Sequence, residues 1–246
     1  MLEELMKYLS YEKIYVFGDS VAKGVVYNME KRRYELSDKN FISLITEDEN
    51  VEVRNFSKFG ATIAHGLDIF KKRVTNLTSP GVALLEFGGN DCDFLWAEIA
   101  ENPDREHNPN TPIEVFHKYY GELIEKFREK NILPIIFSLP PLDPDRFFET
   151  VSKGLNKDNI LKWLGGNTRR IYQWQEFYNA ELVSIANDSK VLFYDLRKGF
   201  LDKLNPEHYL CIDGMHPNEE GHRLIAENLR SILEKYKIIN RKSSLV

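Results

Sequence analysis

The chain has 246 residues and only two cysteines, Cys92 and Cys211, which form no metal-ligand spacing. They read as two reduced thiols. No stretch approaches the roughly 20 apolar residues that cross a bilayer. Residues 1–9 carry Glu3, Glu4 and Lys7, so the apolar core of a secretory signal is missing. The expectation is a cytoplasmic protein without membrane insertion. Positive charge is also short: 33 Lys and Arg stand against 38 Asp and Glu, for a net charge of −5. The basic residues are scattered, which disfavours nucleic acid as a partner. The cluster Lys31-Arg32-Arg33 reads as a solvated turn. Internal repeats, low-complexity tracts and a clear domain linker are absent, so the chain reads as a single domain.

Two familiar motifs are missing as well. There is no Gly-x-Ser-x-Gly elbow, which disfavours the α/β-hydrolase fold. Lys23 precedes Gly24, so the Gly-Lys-Ser/Thr order of a phosphate loop is not met.

What the chain does have is alternation. Short apolar runs at 14–17, 51–56, 82–87, 132–138 and 191–194 are rich in Val, Ile, Leu and Phe. Continuous rather than alternating hydrophobicity suits strands buried on both faces of a parallel sheet. Amphipathic stretches lie between them. Thr111-Pro112-Ile113-Glu114 has the form of a capping box with Pro at the first helical position. Ile113, Phe116, Tyr120, Leu123 and Phe127 follow at near-helical spacing. Ile171, Trp174, Tyr178, Leu182 and Ile185 make a second stripe, and Leu224, Ile225, Leu229, Ile232 and Leu233 a third. The order predicts an α/β fold, a three-layer α/β/α sandwich with about five parallel strands. Two long segments interrupt it, 92–110 and 140–167. Both follow a predicted strand, at the sheet edge where ligands bind in open α/β folds. They carry Phe94 and Trp96, and Phe147, Phe148 and Trp163.

Chemistry enters at Gly18-Asp19-Ser20, directly after the first run, and at Asp213-Gly214-Met215-His216-Pro217 near the C-terminus. A serine hydroxyl needs a base within hydrogen-bond reach to act as a nucleophile. His216 is a candidate base, and Asp213 a candidate partner that fixes its tautomer. A spacing of three lets both project from one tight turn, with Pro217 starting the final helix. Singly, each segment also reads as an ordinary turn. Gly88-Gly89-Asn90-Asp91 follows the third run, and its Asn amide suits a developing oxyanion. Asn55-Phe56-Ser57-Lys58-Phe59-Gly60 follows the second run, ahead of a helix starting near Ala61, and Gly60 offers a backbone N–H. Ser20-Val21-Ala22-Lys23 also matches Ser-x-x-Lys, but the companion motifs of that class are absent and Lys23 reads as exposed.

Gly18-Asp19-Ser20, Gly60, Gly89-Asn90-Asp91 and Asp213-x-x-His216 together resemble the SGNH (GDSL-type) hydrolases. All four of that family's blocks occur in order, over residues 13–236. Val21 stands where the family usually has Leu. The resemblance implies a flavodoxin-like fold, no metal and no cofactor. It implies Ser20 as nucleophile, His216 as general base and Asp213 as its orienting partner, with an oxyanion hole from the Ser20 and Gly60 N–H groups and the Asn90 side chain. The expected activity is a serine esterase on small acyl esters, O-acetyl groups on carbohydrate among them, through an acyl-enzyme. Acyl transfer, thioester and lysophospholipid cleavage remain open on the same residues. A small-molecule or nucleotide-binding module on a flavodoxin-like scaffold is the reading without catalysis.

Overall fold

The computed structural model describes residues 13–47, 52–73 and 81–235. The expectation for residues 1–9 falls outside the described residues, as does Val51. Five parallel strands form the central sheet: β1 (Lys13–Gly18), β4 (Glu52–Asn55), β5 (Gly81–Glu86), β6 (Ile132–Phe137) and β7 (Leu192–Tyr194). Their order across the sheet is β4-β1-β5-β6-β7. The chain therefore reverses direction of travel after β4, and the C-terminal ends of β1 and β5 flank the crevice where such a sheet takes a ligand.

The strands are apolar throughout because both sheet faces are covered. Tyr15 and Phe17 of β1, with Ala83 and Leu85 of β5, look to one side. There α3 (Ile63–Arg73), α5 (Ile113–Glu129) and α8 (Arg169–Ser189) bury Leu67, Tyr120, Phe127, Tyr178 and Leu182. Ile14, Val16, Val82 and Leu84 look to the other, against α2 (Phe41–Thr46), α9 (Arg197–Leu201) and α10 (Glu219–Lys235). Each side chain of this size removed from water contributes about 1.5–3 kcal/mol. The architecture is thus the three-layer α/β/α arrangement expected from the alternation of runs and stripes.

The structure departs from the sequence reading in four places. Residues 25–36 form an antiparallel hairpin, β2 (Val25–Asn28) with β3 (Arg33–Leu36), whose turn holds Lys31 and Arg32. The capping box at Thr111 does not form: α5 begins at Ile113, with no side-chain cap bond. The Thr111 N–H donates to the Asp91 carbonyl at 3.0 Å instead. Pro217 does not start the last helix. It bridges Leu210, and the Asn218 side chain accepts from the Gly221 N–H at 3.0 Å at the head of α10.

Finally, the two long segments are not bare loops. The first carries α4 (Trp96–Glu101), and the second α6 (Pro144–Val151) and α7 (Lys157–Trp163). Trp96, Ile99, Phe147, Phe148, Ile160 and Leu164 join these helices into a third apolar cluster above the C-terminal edge of the sheet. Asp143 caps α6, its carboxylate accepting from the Asp145 and Arg146 N–H groups.

Candidate active site

Three strand ends and one C-terminal loop build the site. At the end of β1 the chain must pass very close to β5. A Cβ on Gly18 would sit 2.6 Å from the Ala22 Cβ and 2.7 Å from the Glu86 carbonyl oxygen, so only glycine fits. Asp19 then turns the chain into the short helix α1 (Ser20–Lys23), accepting the Val21 N–H at 2.8 Å. Ser20 is the first residue of that helix. Its N–H has no protein acceptor among the described residues, as expected for a first helical turn.

The loop at 211–217 is tied at several points. The Cys211 N–H donates to the His216 carbonyl at 2.7 Å, and the Asp143 N–H to the Gly214 carbonyl at 2.8 Å. Gly214 has φ +75°, and a Cβ there would lie 2.7 Å from the Asp143 carbonyl oxygen. Asp213 Oδ1 accepts from the Met215 and His216 N–H groups at 2.9 and 3.0 Å. Its Oδ2 lies 2.7 Å from His216 Nδ1, and His216 Nε2 lies 2.8 Å from Ser20 Oγ. All three side chains are buried, so these bonds act with little competition from water. Burial works to raise the Asp213 carboxyl. The hydrogen bond and charge of His216 and the two backbone N–H donors outweigh it and hold the group below its ordinary value.

Asn90 is brought to the same point. Its Nδ2 donates to Asp19 Oδ2 at 2.9 Å, and its carbonyl accepts from the Asn110 side chain at 2.9 Å. An amide nitrogen has two hydrogens, so one remains free of Asp19. Asp91, fully buried, receives the Ile63 N–H on both oxygens, at 3.0 and 3.1 Å, at the start of α3. Gly60 stands on an exposed turn closed by the Ala61 N–H on the Lys58 carbonyl. It does not line the cavity described below, whereas its neighbour Phe59 does. Lys23 is half-buried rather than exposed, and its ammonium donates to the Ser57 carbonyl at 3.2 Å. The structure therefore gives the Ser-x-x-Lys reading no support.

Residues that the sequence did not single out also converge here. Tyr34 of β3 and Phe59 lie against the His216 ring, with centroids 5.3 and 6.1 Å away. Glu86 ends β5 as a buried carboxyl beneath Asp19. The only signals for them were an aromatic in a charged stretch and an acid closing an apolar run. Cys92 and Cys211 are buried free thiols, both pushed up by burial, Cys211 to about 11, and neither is a ready nucleophile. Among the described residues, no group of three or more His, Cys, Asp or Glu side chains is placed to hold a metal ion. No helix there is long and apolar enough to cross a membrane.

A cavity of about 600 Å³ opens from Ser20 and His216 into the third cluster. Phe94, Trp96, Phe147, Trp163 and Trp174 form its apolar wall, with Glu106, Asn108 and Arg170 among its polar lining. The rings brace one another: Phe94 and Trp163 have centroids 4.9 Å apart, and Phe94 and Trp174 5.7 Å.

The fold resembles a lipase/acylhydrolase from Enterococcus faecalis (19% identity, TM-score 0.62), covering 95% of this chain and 100% of that one. It also resembles the psychrotrophic esterase EstA from Pseudoalteromonas sp. (14% identity, TM-score 0.59), covering 92% and 98% of the two chains. A third similar structure is the acetyl xylan esterase AlAXEase (20% identity, TM-score 0.59), covering 90% and 99%. No curated protein matches the sequence. The model of GDSL-like lipases and acylhydrolases matches residues 14–229. With that match spanning nearly the whole chain, the protein belongs to the GDSL-like lipase/acylhydrolase family and is a carboxylic ester hydrolase.

Proposed function

We propose that the protein is a serine esterase working through an acyl-enzyme. Ser20 attacks the ester carbonyl while His216 Nε2 takes the hydroxyl proton. Asp213 keeps Nδ1 protonated and faces the imidazolium that forms. The oxyanion is met by the Ser20 and Gly60 N–H groups and by the Asn90 hydrogen not given to Asp19. His216 then protonates the leaving alcohol, and water repeats the sequence on the acyl group. The observation that carries this reading is the continuous chain of short contacts, 2.7 Å from Asp213 to His216 and 2.8 Å from His216 to Ser20.

For the substrate we favour a small acyl group carried on a larger alcohol, with acetylated carbohydrate the leading class. A cavity of about 600 Å³ far exceeds an acetyl group. Its aromatic walls suit the apolar face of a sugar ring, and its polar lining suits hydroxyl groups. The test is turnover of p-nitrophenyl acetate by wild type and Ser20→Ala, run beside acetylated xylan and a p-nitrophenyl ester chain-length series. Wild-type turnover should vanish in Ser20→Ala with the circular dichroism spectrum intact. An unchanged rate in that variant removes Ser20 from the mechanism. A preference rising with acyl length would overturn the substrate assignment.

A further inference from the structure

Beneath the nucleophile lies a pair of acids that the ester-cleaving chemistry above does not use. Glu86 and Asp19 are only 2% and 3% exposed. Glu86 Oε2 accepts the Ala22 N–H at 3.2 Å and the Asp19 N–H at 3.4 Å, which pins it under α1. Asp19 spends Oδ1 on the Val21 N–H and Oδ2 on the Asn90 amide. The Asp19 N–H that Glu86 accepts sets the two carboxyl groups side by side in one buried site. Two adjacent carboxylates out of water and without a cation cannot both stay ionised, so one of them holds a proton. Asp19 already receives donors on both oxygens. Glu86 Oε1 is buried and receives none, which makes Glu86 the group that holds the proton.

The surroundings supply no cation. Among the described residues no Lys or Arg pairs with either acid. Asp91 and Cys92 face the pair from the loop after β5, Tyr120 from α5, and His216 from the C-terminal loop. The Tyr120 hydroxyl is engaged with the Phe87 backbone at 3.2 Å. One negative charge is therefore what this pocket carries at rest.

We propose that Glu86 is a positioning residue: as a neutral acid it donates a hydrogen bond to Asp19, and so fixes Asp19 as the single anion that aims the Asn90 amide at the oxyanion beside Ser20. Burial, and then the charge of Asp19, push the Glu86 carboxyl well above its ordinary value, in keeping with that role. Loss of the Glu86 proton would leave two adjacent anions beside the position where the transition state builds a third. Loss of the side chain would leave Asp19 and Asn90 free to reorient. Either way the cost falls on kcat rather than KM.

The inference rests on the esterase reading, and the experiment separates the two. Glu86→Gln keeps a donor for Asp19 and cannot ionise, whereas Glu86→Leu keeps bulk without a donor. On p-nitrophenyl acetate at about pH 8, Glu86→Gln should hold kcat within about fivefold of wild type, and Glu86→Leu should lose about 30-fold or more with KM changed less than about threefold. Infrared difference spectra at the same pH provide a readout that needs no turnover. Asp91 and Asp93, at about 7 and about 6, are then largely ionised, so wild type minus E86Q should show the carbonyl stretch of one protonated carboxylic acid. Absence of that band, or equal loss in the Gln and Leu variants, overturns the role of Glu86. If Glu86→Leu does not fold, the band and the Glu86→Gln rate decide between the same two outcomes. Turnover that survives Ser20→Ala would instead sink the esterase reading and leave the band untouched.

Discussion

Tyr34 packs its ring 5.3 Å from the imidazole of His216, and its phenol feels the charge of the neighbouring Asp213 carboxyl. Burial first, and then the charge of Asp213, push the phenol well above its ordinary value, so it is a permanent donor. A hairpin residue thus steadies two members of the candidate triad at once. Tyr34→Phe keeps the ring and removes the donor. It should lower kcat about three- to tenfold. Steady-state rates on p-nitrophenyl acetate read the effect, and an unchanged kcat would contradict it.

Removing the members of the triad should be strongly non-additive. His216→Ala should reduce kcat on the order of 10³- to 10⁵-fold, and Asp213→Asn on the order of 10²- to 10⁴-fold. The double variant Ser20→Ala/His216→Ala should be no slower than the slower single one, because the base has no task without the hydroxyl. A further large drop in the double variant would mean that the two side chains act separately.

The stability of the fold should carry a pH signature from Asp91. Burial pushes its carboxyl up to about 7, against the pull of Thr111 and the Ile63 N–H, from an ordinary 3.8. The folded protein therefore favours the protonated acid. That contribution is complete below about pH 4 and is lost as pH rises through about 7, on the order of 4 kcal/mol across the window. Asp91→Asn cannot titrate. Between pH 4 and pH 8, wild type should lose more in melting temperature than the variant. Parallel curves would show that Asp91 ionises normally.

Trp163 braces Phe94 and closes one wall of the cavity. Trp163→Ala should reduce kcat/KM on acetylated oligosaccharides about tenfold while altering p-nitrophenyl acetate turnover less than about threefold. Equal losses on both would place Trp163 in packing alone.

The parts legible in the sequence were those with a strong local pattern or a compact motif. The runs around Ile14, Val82 and Ile135 announced doubly buried strands because no polar residue interrupts them. Ser20, Asn90, Asp213 and His216 stood in recognisable short blocks, and the structure brings their side chains together. The hairpin of Val25 and Arg33 escaped because its strands are four residues long and its outer strand is charged. Glu86 escaped because its meaning depends on Asp19, 67 positions away. Thr111 looked like a helix cap, and nothing nearby in sequence signals that its N–H would be tied to the Asp91 carbonyl. Pro217 fits a helix start by residue type, yet its pairing with Leu210 leaves that task to Asn218.

The aromatic cluster above the sheet is separate from the two that clamp the strands. Most of its residues come from two insertions that interrupt the chain at different points, after β5 and after β6, joined by Ile171 of α8 and Met215 of the C-terminal loop. Mutational drift there can redraw the reception chamber while the load-carrying layers keep their own packing. A scaffold partitioned in this way can trade one clientele of esters for another by small steps, since each step risks local misfit rather than collapse of the whole molecule.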